Sequence, residues 1–129
     1  MTQRTELQRV SDMIDAGERA LRHTRNLTDS DALMADELRM DAVLRALEVV
    51  GEACKSVSQA TRERFPTIPW RQVAGMRDRL IHGYDRVDQE LVWATLTHFL
   101  PSALPELHSV YVILLTEEPP PPEIPADDR

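Results

Sequence analysis

The chain is poor in the residues from which sheet-rich, disulfide-bonded or membrane proteins are built. Only 5% of its 129 residues are aromatic and only four are glycine, which argues against a fold rich in β-strands. Its single cysteine, Cys54, cannot form an intramolecular disulfide, so we expect a small core residue in a reducing compartment. No stretch approaches the length of a membrane helix, and the first ten residues lack the apolar run of a signal peptide. We therefore expect a cytoplasmic protein with no membrane partner.

The charge of the chain is unevenly distributed. A hydrophobic fraction of 42% and a charged fraction of 29% indicate one globular domain, and the net charge of −7 at first argues against a nucleic-acid partner. Residues 62–86, however, contain six arginines and only three acids. Fourteen of the fifteen basic residues are arginine, which favours bidentate contact with phosphate, although a compositional habit of the genome explains it equally well.

Apolar spacing predicts four helices. They span residues 4–25, from a cap at 28–30 to Phe65, from Trp70 to a C-terminal cap at Gly83, and from an N-cap at Asp88 to about 115. Leu33 and Leu38 continue the apolar stripe of the second helix upstream, and Gly17 and Gly51 mark places where a neighbouring helix approaches closely. Pro101 and Pro105 predict a kink or break in the last helix, because an internal proline costs about 3 kcal/mol.

These patterns predict an all-α fold, an up-and-down bundle of four or five helices. The buried face of the third helix is expected to consist of Val73, Met76 and Leu80. The helical domain covers residues 1–115. Residues 116–129 are acidic and rich in proline, so we expect an extended, disordered tail.

The segment from Trp70 to Asp88 is too polar to serve burial alone. Arg77 and His82 are five residues apart, which separates them by roughly 140° on an unbroken helix. They converge only if the helix ends near His82, which Gly83 permits, or if a second subunit contributes one of them.

Once converged, this pair suits cleavage of a phosphodiester. Histidine exchanges protons near neutral pH, and arginine stabilises the charge that builds on a phosphate. Asp78 can orient either side chain, and the Tyr84 hydroxyl can reach the same phosphate. Each residue also has an ordinary structural explanation, namely a surface histidine, a solvated charged face and a tyrosine at the edge of the core.

The spacing of Arg77, His82 and Tyr84 resembles the RX4HXY signature of the HEPN superfamily. More closely, the chain resembles the HepT-like toxins over roughly residues 5–115. Three segments carry this resemblance: GEAC at 51–54, IPW at 68–70 and GMRDRLIHGYDRVD at 75–88.

The resemblance implies a HEPN-like bundle that forms a homodimer, with both motifs in one interfacial cleft. It implies a metal-independent endoribonuclease without a cofactor, the toxin of a type II/VII-like toxin–antitoxin pair, with Arg77 and His82 as the catalytic residues. The antitoxin would be a minimal nucleotidyltransferase that transfers AMP to the motif tyrosine, here Tyr84. The RNA target is left open, and tRNA and mRNA are both candidates.

Two acidic residues, Asp78 and Glu52, bear on the expected RNA site. Asn is frequent in relatives at the position of Asp78, so an acid beside the arginine puts the affinity for RNA in question. Glu52, within GEAC, lies about 160° around the helix from Cys54. We expect it to be solvated or, as a supporting residue, to pair with a motif arginine. The alternative function is a non-catalytic HEPN module that partners a nucleotidyltransferase or binds nucleotide, which the overall acidity and Asp78 favour.

Overall fold

A computed structural model describes residues 3–82, 86–118 and 122–126, and most of these residues are helical. The helices are α1 (Gln3–Arg22), α2 (Ser30–Ala35), α3 (Glu37–Lys55), α4 (Gln59–Arg64), α5 (Trp70–Ala74), α6 (Met76–Leu80), α7 (Gln89–Ala94) and α8 (Leu100–Glu117), with a π-helical segment, Thr95–Phe99, between the last two. Within the described ranges there is no β-strand, only an isolated antiparallel bridge between Ile81 and Val87. The predicted all-α bundle is confirmed.

The core lies on both sides of α1, which contacts α3 and α8 more extensively than any other two helices contact each other. Its largest fully buried side chains include Val10 and Met13 from α1, Val43 and Leu47 from α3, and Leu100 and Leu114 from α8. Gly17 lies where α1 meets α8, and a Cβ at this position would be 3.0 Å from a methyl group of Leu104. The predicted close approach at Gly17 is therefore confirmed.

The second predicted helix is not continuous but consists of α2, α3 and α4. Asp36 caps α3 by accepting a hydrogen bond from the Arg39 N–H at 3.1 Å. Ser58 caps α4, and its own N–H donates to the buried carboxylate of Glu6 at 3.0 Å. The assignment of Leu38 to the apolar stripe was wrong, because this side chain is 84% exposed.

The last predicted helix has its N-cap at Asp88, as expected. The Asp88 carboxylate accepts a hydrogen bond from the Leu91 N–H at 3.1 Å. Of the predicted kink or break at the prolines, the break does not occur, because the helical stretch is continuous from Gln89 to Glu117. Instead, the Leu100 N–H donates to the Thr95 carbonyl, five residues back, in the π-helical turn just before Pro101. The helix then continues through Glu117, so the first two residues assigned to the tail are helical.

The helical stretch Gln89–Glu117 is long and apolar enough, by length and composition, to cross a membrane. The expectation that no stretch approaches that length was therefore wrong. Its buried leucines, among them Leu104 against Gly17, pack within the bundle. Other apolar side chains of the stretch, Val112, Ile113 and Leu115, are exposed, so only one face of it is buried.

Candidate active site

The contact between α3 and α5 supports the polar segment from Trp70 to Asp88. A Cβ at Gly51 would be 3.4 Å from the carbonyl oxygen of Val73, so α5 lies directly on this glycine. The Cys54 thiol donates to the Trp70 carbonyl at 3.3 Å, and the Trp70 indole N–H donates to the Phe65 carbonyl at 2.9 Å. The GEAC and IPW segments, separate in sequence, thus form one contact that fixes the start of α5.

The helix predicted from Trp70 is divided at Gly75 into α5 and α6. Its predicted buried face is confirmed, since Val73, Met76 and Leu80 are each no more than 3% exposed. The α6 helix ends at Leu80, because Ile81 adopts an extended conformation and the Leu80 carbonyl accepts from the Asp88 N–H at 2.8 Å. Gly83, the predicted C-terminal cap, lies outside the described residues.

His82 therefore lies beyond the end of the helix. Its backbone N–H donates to the Arg86 carbonyl at 2.8 Å, next to the bridge between Ile81 and Val87. The side chains of His82 and Arg86 are both exposed. This end of α6 meets the geometric condition for bringing His82 toward Arg77, because the 140° separation applies only to a continuous helix. Tyr84, the predicted site of modification, lies outside the described residues.

Arg77 points from α6 toward α3. Its Nε lies 3.7 Å from Oε2 of Glu48, and its Nη1 lies 3.6 Å from Oδ1 of Asp78. The other oxygen of Glu48 accepts a hydrogen bond from Arg45 at 2.9 Å. The Arg77 side chain is 45% exposed, so each of its ion pairs contributes less than about 1 kcal/mol to stability. The guanidinium is thus held at the surface and remains accessible.

The structure places Glu52 away from this arginine. Its carboxylate lies 3.3 Å from the ammonium of Lys55, and within the described residues no ion pair joins it to an arginine of the motif. Glu48 contacts Arg77 instead. Sequence reasoning missed Glu48, although it lies three residues before Gly51 and therefore on the side of α3 that faces α5 and α6.

A separate cleft of about 490 Å³ lies between α5, α6 and the π-helical segment, and its lining includes Gln72, Met76, Arg79, His98 and Phe99. Arg79, two residues from Arg77, belongs to this cleft and donates to the Gln72 carbonyl at 2.6 Å. In the part of the chain that the structure describes, no three His, Cys, Asp or Glu side chains are grouped as metal ligands would be.

Fold and site together define a small helical protein with an exposed arginine on one short helix and an exposed histidine just beyond the end of that helix. Residues 13–110 match the family described as "Ribonuclease HepT-like". The chain belongs to the HepT-like ribonuclease family. The prediction of an endoribonuclease, with RNA as the substrate class, is thereby confirmed at the level of the family.

Several curated proteins are similar in sequence to much of this chain. It is 40% identical over 93 residues to "Probable ribonuclease HepT" of Thermococcus cleftensis, covering 72% of this chain and 84% of the relative. It is 31% identical over 104 residues to "Putative RNase MJ0127" of Methanocaldococcus jannaschii, covering 81% and 79%. It is 45% identical over 69 residues to "Putative RNase MJ0125" of the same organism, covering 54% of this chain and 60% of that relative. No solved structure matches the chain.

Proposed function

We propose that the chain is a metal-independent endoribonuclease toxin that acts as a homodimer, with Arg77 and His82 of both subunits at one interfacial site. The end of α6 at Leu80 carries this proposal. It frees His82 from the helix, while Glu48 holds Arg77 at the surface of the same segment. Both side chains are exposed rather than used in the core.

The reaction that suits these groups is transfer of the phosphate within RNA. The ribose 2′-oxygen attacks the adjacent phosphorus, and the bond from phosphorus to the 5′-oxygen of the next nucleotide breaks. The 2′-hydroxyl loses a proton and the leaving 5′-oxygen gains one; His82 carries out one of these two transfers, and water carries out the other. Arg77 stabilises the negative charge on the phosphate in the transition state. The products are a 2′,3′-cyclic phosphate and a 5′-hydroxyl.

Pairing of two chains would bring two locally basic regions together, although each chain is acidic as a whole. The net charge of one chain is −7, which repels RNA. The only basic region, residues 62–86, includes the exposed Arg71, Arg77, Arg79 and Arg86. A dimer that joins two such regions concentrates arginines in one cleft, where they can neutralise several phosphates.

Purified protein tests the proposed reaction. We expect it to cleave RNA in the presence of EDTA and to leave 2′,3′-cyclic phosphate ends. His82→Ala should abolish cleavage without changing the melting temperature, because the side chain is exposed. His108→Ala is the matched control, since His108 is an exposed histidine on α8 that contacts Glu18. Cleavage that requires a divalent metal, or that persists in His82→Ala, would contradict the proposal.

The biological setting is a toxin–antitoxin pair in the cytoplasm, with a minimal nucleotidyltransferase as the antitoxin. The transferase would join the Tyr84 oxygen to the α-phosphorus of ATP and release pyrophosphate. The added adenylate would bring bulk and a negative phosphate to the position where the RNA phosphate must bind. In cells that lack the transferase, we expect expression of the chain to arrest growth.

The second candidate is the non-catalytic module that binds nucleotide or a nucleotidyltransferase. The two carboxylates beside Arg77, from Glu48 and Asp78, favour it because they offset the charge of the guanidinium. Folded protein that neither slows growth nor cleaves RNA would support this candidate over the toxin.

A further inference from the structure

We propose that Glu48 is a positioning residue for Arg77, an inference that rests on the proposed ribonuclease function. Glu48 lies on α3, outside the motif segment, and no feature of the motif points to it. Its two carboxylate oxygens are divided between two arginines. Oε1 accepts from Arg45 at 2.9 Å, and Oε2 lies 3.7 Å from Nε of Arg77.

The role of Glu48 depends on which atom of Arg77 it contacts. A guanidinium binds phosphate most strongly through two parallel N–H groups. Because Glu48 approaches Arg77 on the side of the Nε, at 3.7 Å, it leaves the two terminal nitrogens directed toward the phosphate of RNA. Asp78 is close to one of them, at 3.6 Å, but its side chain is 76% exposed and is less constrained than that of Glu48, which is 33% exposed. Glu48 is therefore the carboxylate that fixes the direction of the guanidinium.

A positioning role and a purely electrostatic role predict opposite results. A carboxylate beside a phosphate site repels RNA, so removal of its charge should strengthen RNA binding and lower KM. If Glu48 orients Arg77, removal of its charge instead lowers kcat, because a misplaced guanidinium stabilises the transition state less well. The separation of kcat from KM therefore distinguishes the two roles.

The experiment compares Glu48→Gln with Asp41→Asn in the full-length chain. Asp41 is an exposed acid on the same helix, seven residues earlier and so on nearly the same side. We expect Glu48→Gln to lower kcat roughly 10- to 100-fold, with KM unchanged or lower and the melting temperature unchanged. Asp41→Asn should leave kcat unchanged. Glu48→Asp keeps the charge on a shorter stem, and we expect it to retain more activity than Glu48→Gln.

A double-mutant cycle with Arg77→Lys tests whether Glu48 acts through Arg77. A lysine ammonium on its flexible stem has no planar fork whose direction a neighbouring carboxylate could fix. We therefore expect Glu48→Gln to lower kcat little further when lysine already stands at position 77. An equal loss in both backgrounds would overturn the proposal, because Glu48 would then act independently of the arginine.

The outcomes separate this proposal from the function on which it rests. If wild-type protein cleaves RNA and His82→Ala does not, but Glu48→Gln keeps the wild-type kcat, the positioning role alone is overturned. A change in KM alone would overturn it as well. If wild-type protein does not cleave RNA, or if His82→Ala is fully active, the ribonuclease function itself fails.

Discussion

The backbone N–H of His82 donates to the carbonyl oxygen of Arg86 at 2.8 Å, beside the antiparallel bridge between Ile81 and Val87. Residues directly opposite each other across such a pairing project their side chains to the same face. Both side chains are exposed, so we expect the Arg86 cation to lie on the same face as the histidine. The pairing thus adds Arg86 to the residues that RNA approaching His82 would meet.

We predict that Arg86→Gln weakens RNA binding through the loss of one phosphate contact. The slope of log K against log salt should become shallower by about 0.7 for single-stranded RNA, while kcat changes little. Filter binding at several salt concentrations measures the slope. The control is Arg22→Gln, which replaces an exposed arginine at the end of α1 and should leave the slope unchanged. An unaltered slope for Arg86→Gln would exclude this arginine from the RNA path.

Mixed dimers test whether the site is shared between subunits. Arg77→Ala and His82→Ala homodimers should each be inactive. If a site combines Arg77 of one subunit with His82 of the other, a heterodimer of the two variants retains one intact pair. We therefore expect mixing of the inactive variants to restore part of the cleavage activity. Heterodimers with two affinity tags, purified on both, provide the measurement, and complete inactivity would contradict a site built in this way.

Tyr84 is the expected acceptor of AMP. If a nucleotidyltransferase is the antitoxin, incubation of the chain with ATP and that transferase should add the mass of one AMP to the intact protein and abolish RNA cleavage. Tyr84→Phe should remain unmodified, and Tyr111→Phe, which alters the only other tyrosine, should be modified normally. An AMP adduct on Tyr84→Phe would show that another residue accepts the nucleotide.

The buried face of the motif segment was predictable because helical spacing fixes which residues point inward. Val73, Met76 and Leu80 are buried as the spacing required, and the cap at Asp88 followed from its side-chain chemistry. Leu38 was misassigned because spacing alone does not show where a helix begins. Asp36 caps α3 two residues earlier and sets that helix apart from the stripe of α2.

The carboxylate at Arg77 was not predictable from the motif. Glu48 and Glu52 both lie on α3, and sequence resemblance drew attention to Glu52, which pairs with Lys55. Which of the two glutamates contacts Arg77 depends on which side of α3 faces α6. The contact of Gly51 with α5 determines that side. This contact is tertiary, so it follows from the packing of the two helices and not from the periodicity of either one.

Two substitutions at Gly51 test this packing. A Cβ there would be 3.4 Å from the Val73 carbonyl and 3.5 Å from that of Ala74, both ordinary contacts. Gly51→Ala should therefore fit and stabilise by up to about 1 kcal/mol through helix propensity. Gly51→Leu must displace α5 and should destabilise by about 1–3 kcal/mol. Urea unfolding measures both changes, and equal stabilities of the two variants would show that α5 does not rest on this position.

The Cys54 thiol predicts how stability changes in alkaline solution. Burial raises its pKa from 9.0 to about 11, although the Arg62 guanidinium partly opposes this shift. In the unfolded chain the thiol loses its proton near pH 9.0, whereas in the folded protein it keeps the proton until about pH 11. The contribution of the thiol is therefore fully present below pH 9.0 and decreases as the pH rises toward 11, by up to about 1.4 kcal/mol per pH unit.

Cys54→Ala isolates this contribution, because every other titrating group is common to the two proteins. The variant loses packing at all pH values, so its free energy of unfolding is lower throughout, but it should decline less steeply with pH between 9.0 and about 11. Urea unfolding of both proteins across this interval gives the two slopes. Parallel slopes would mean that the folded and unfolded chains release the thiol proton at the same pH, contrary to the burial of Cys54 beneath Trp70.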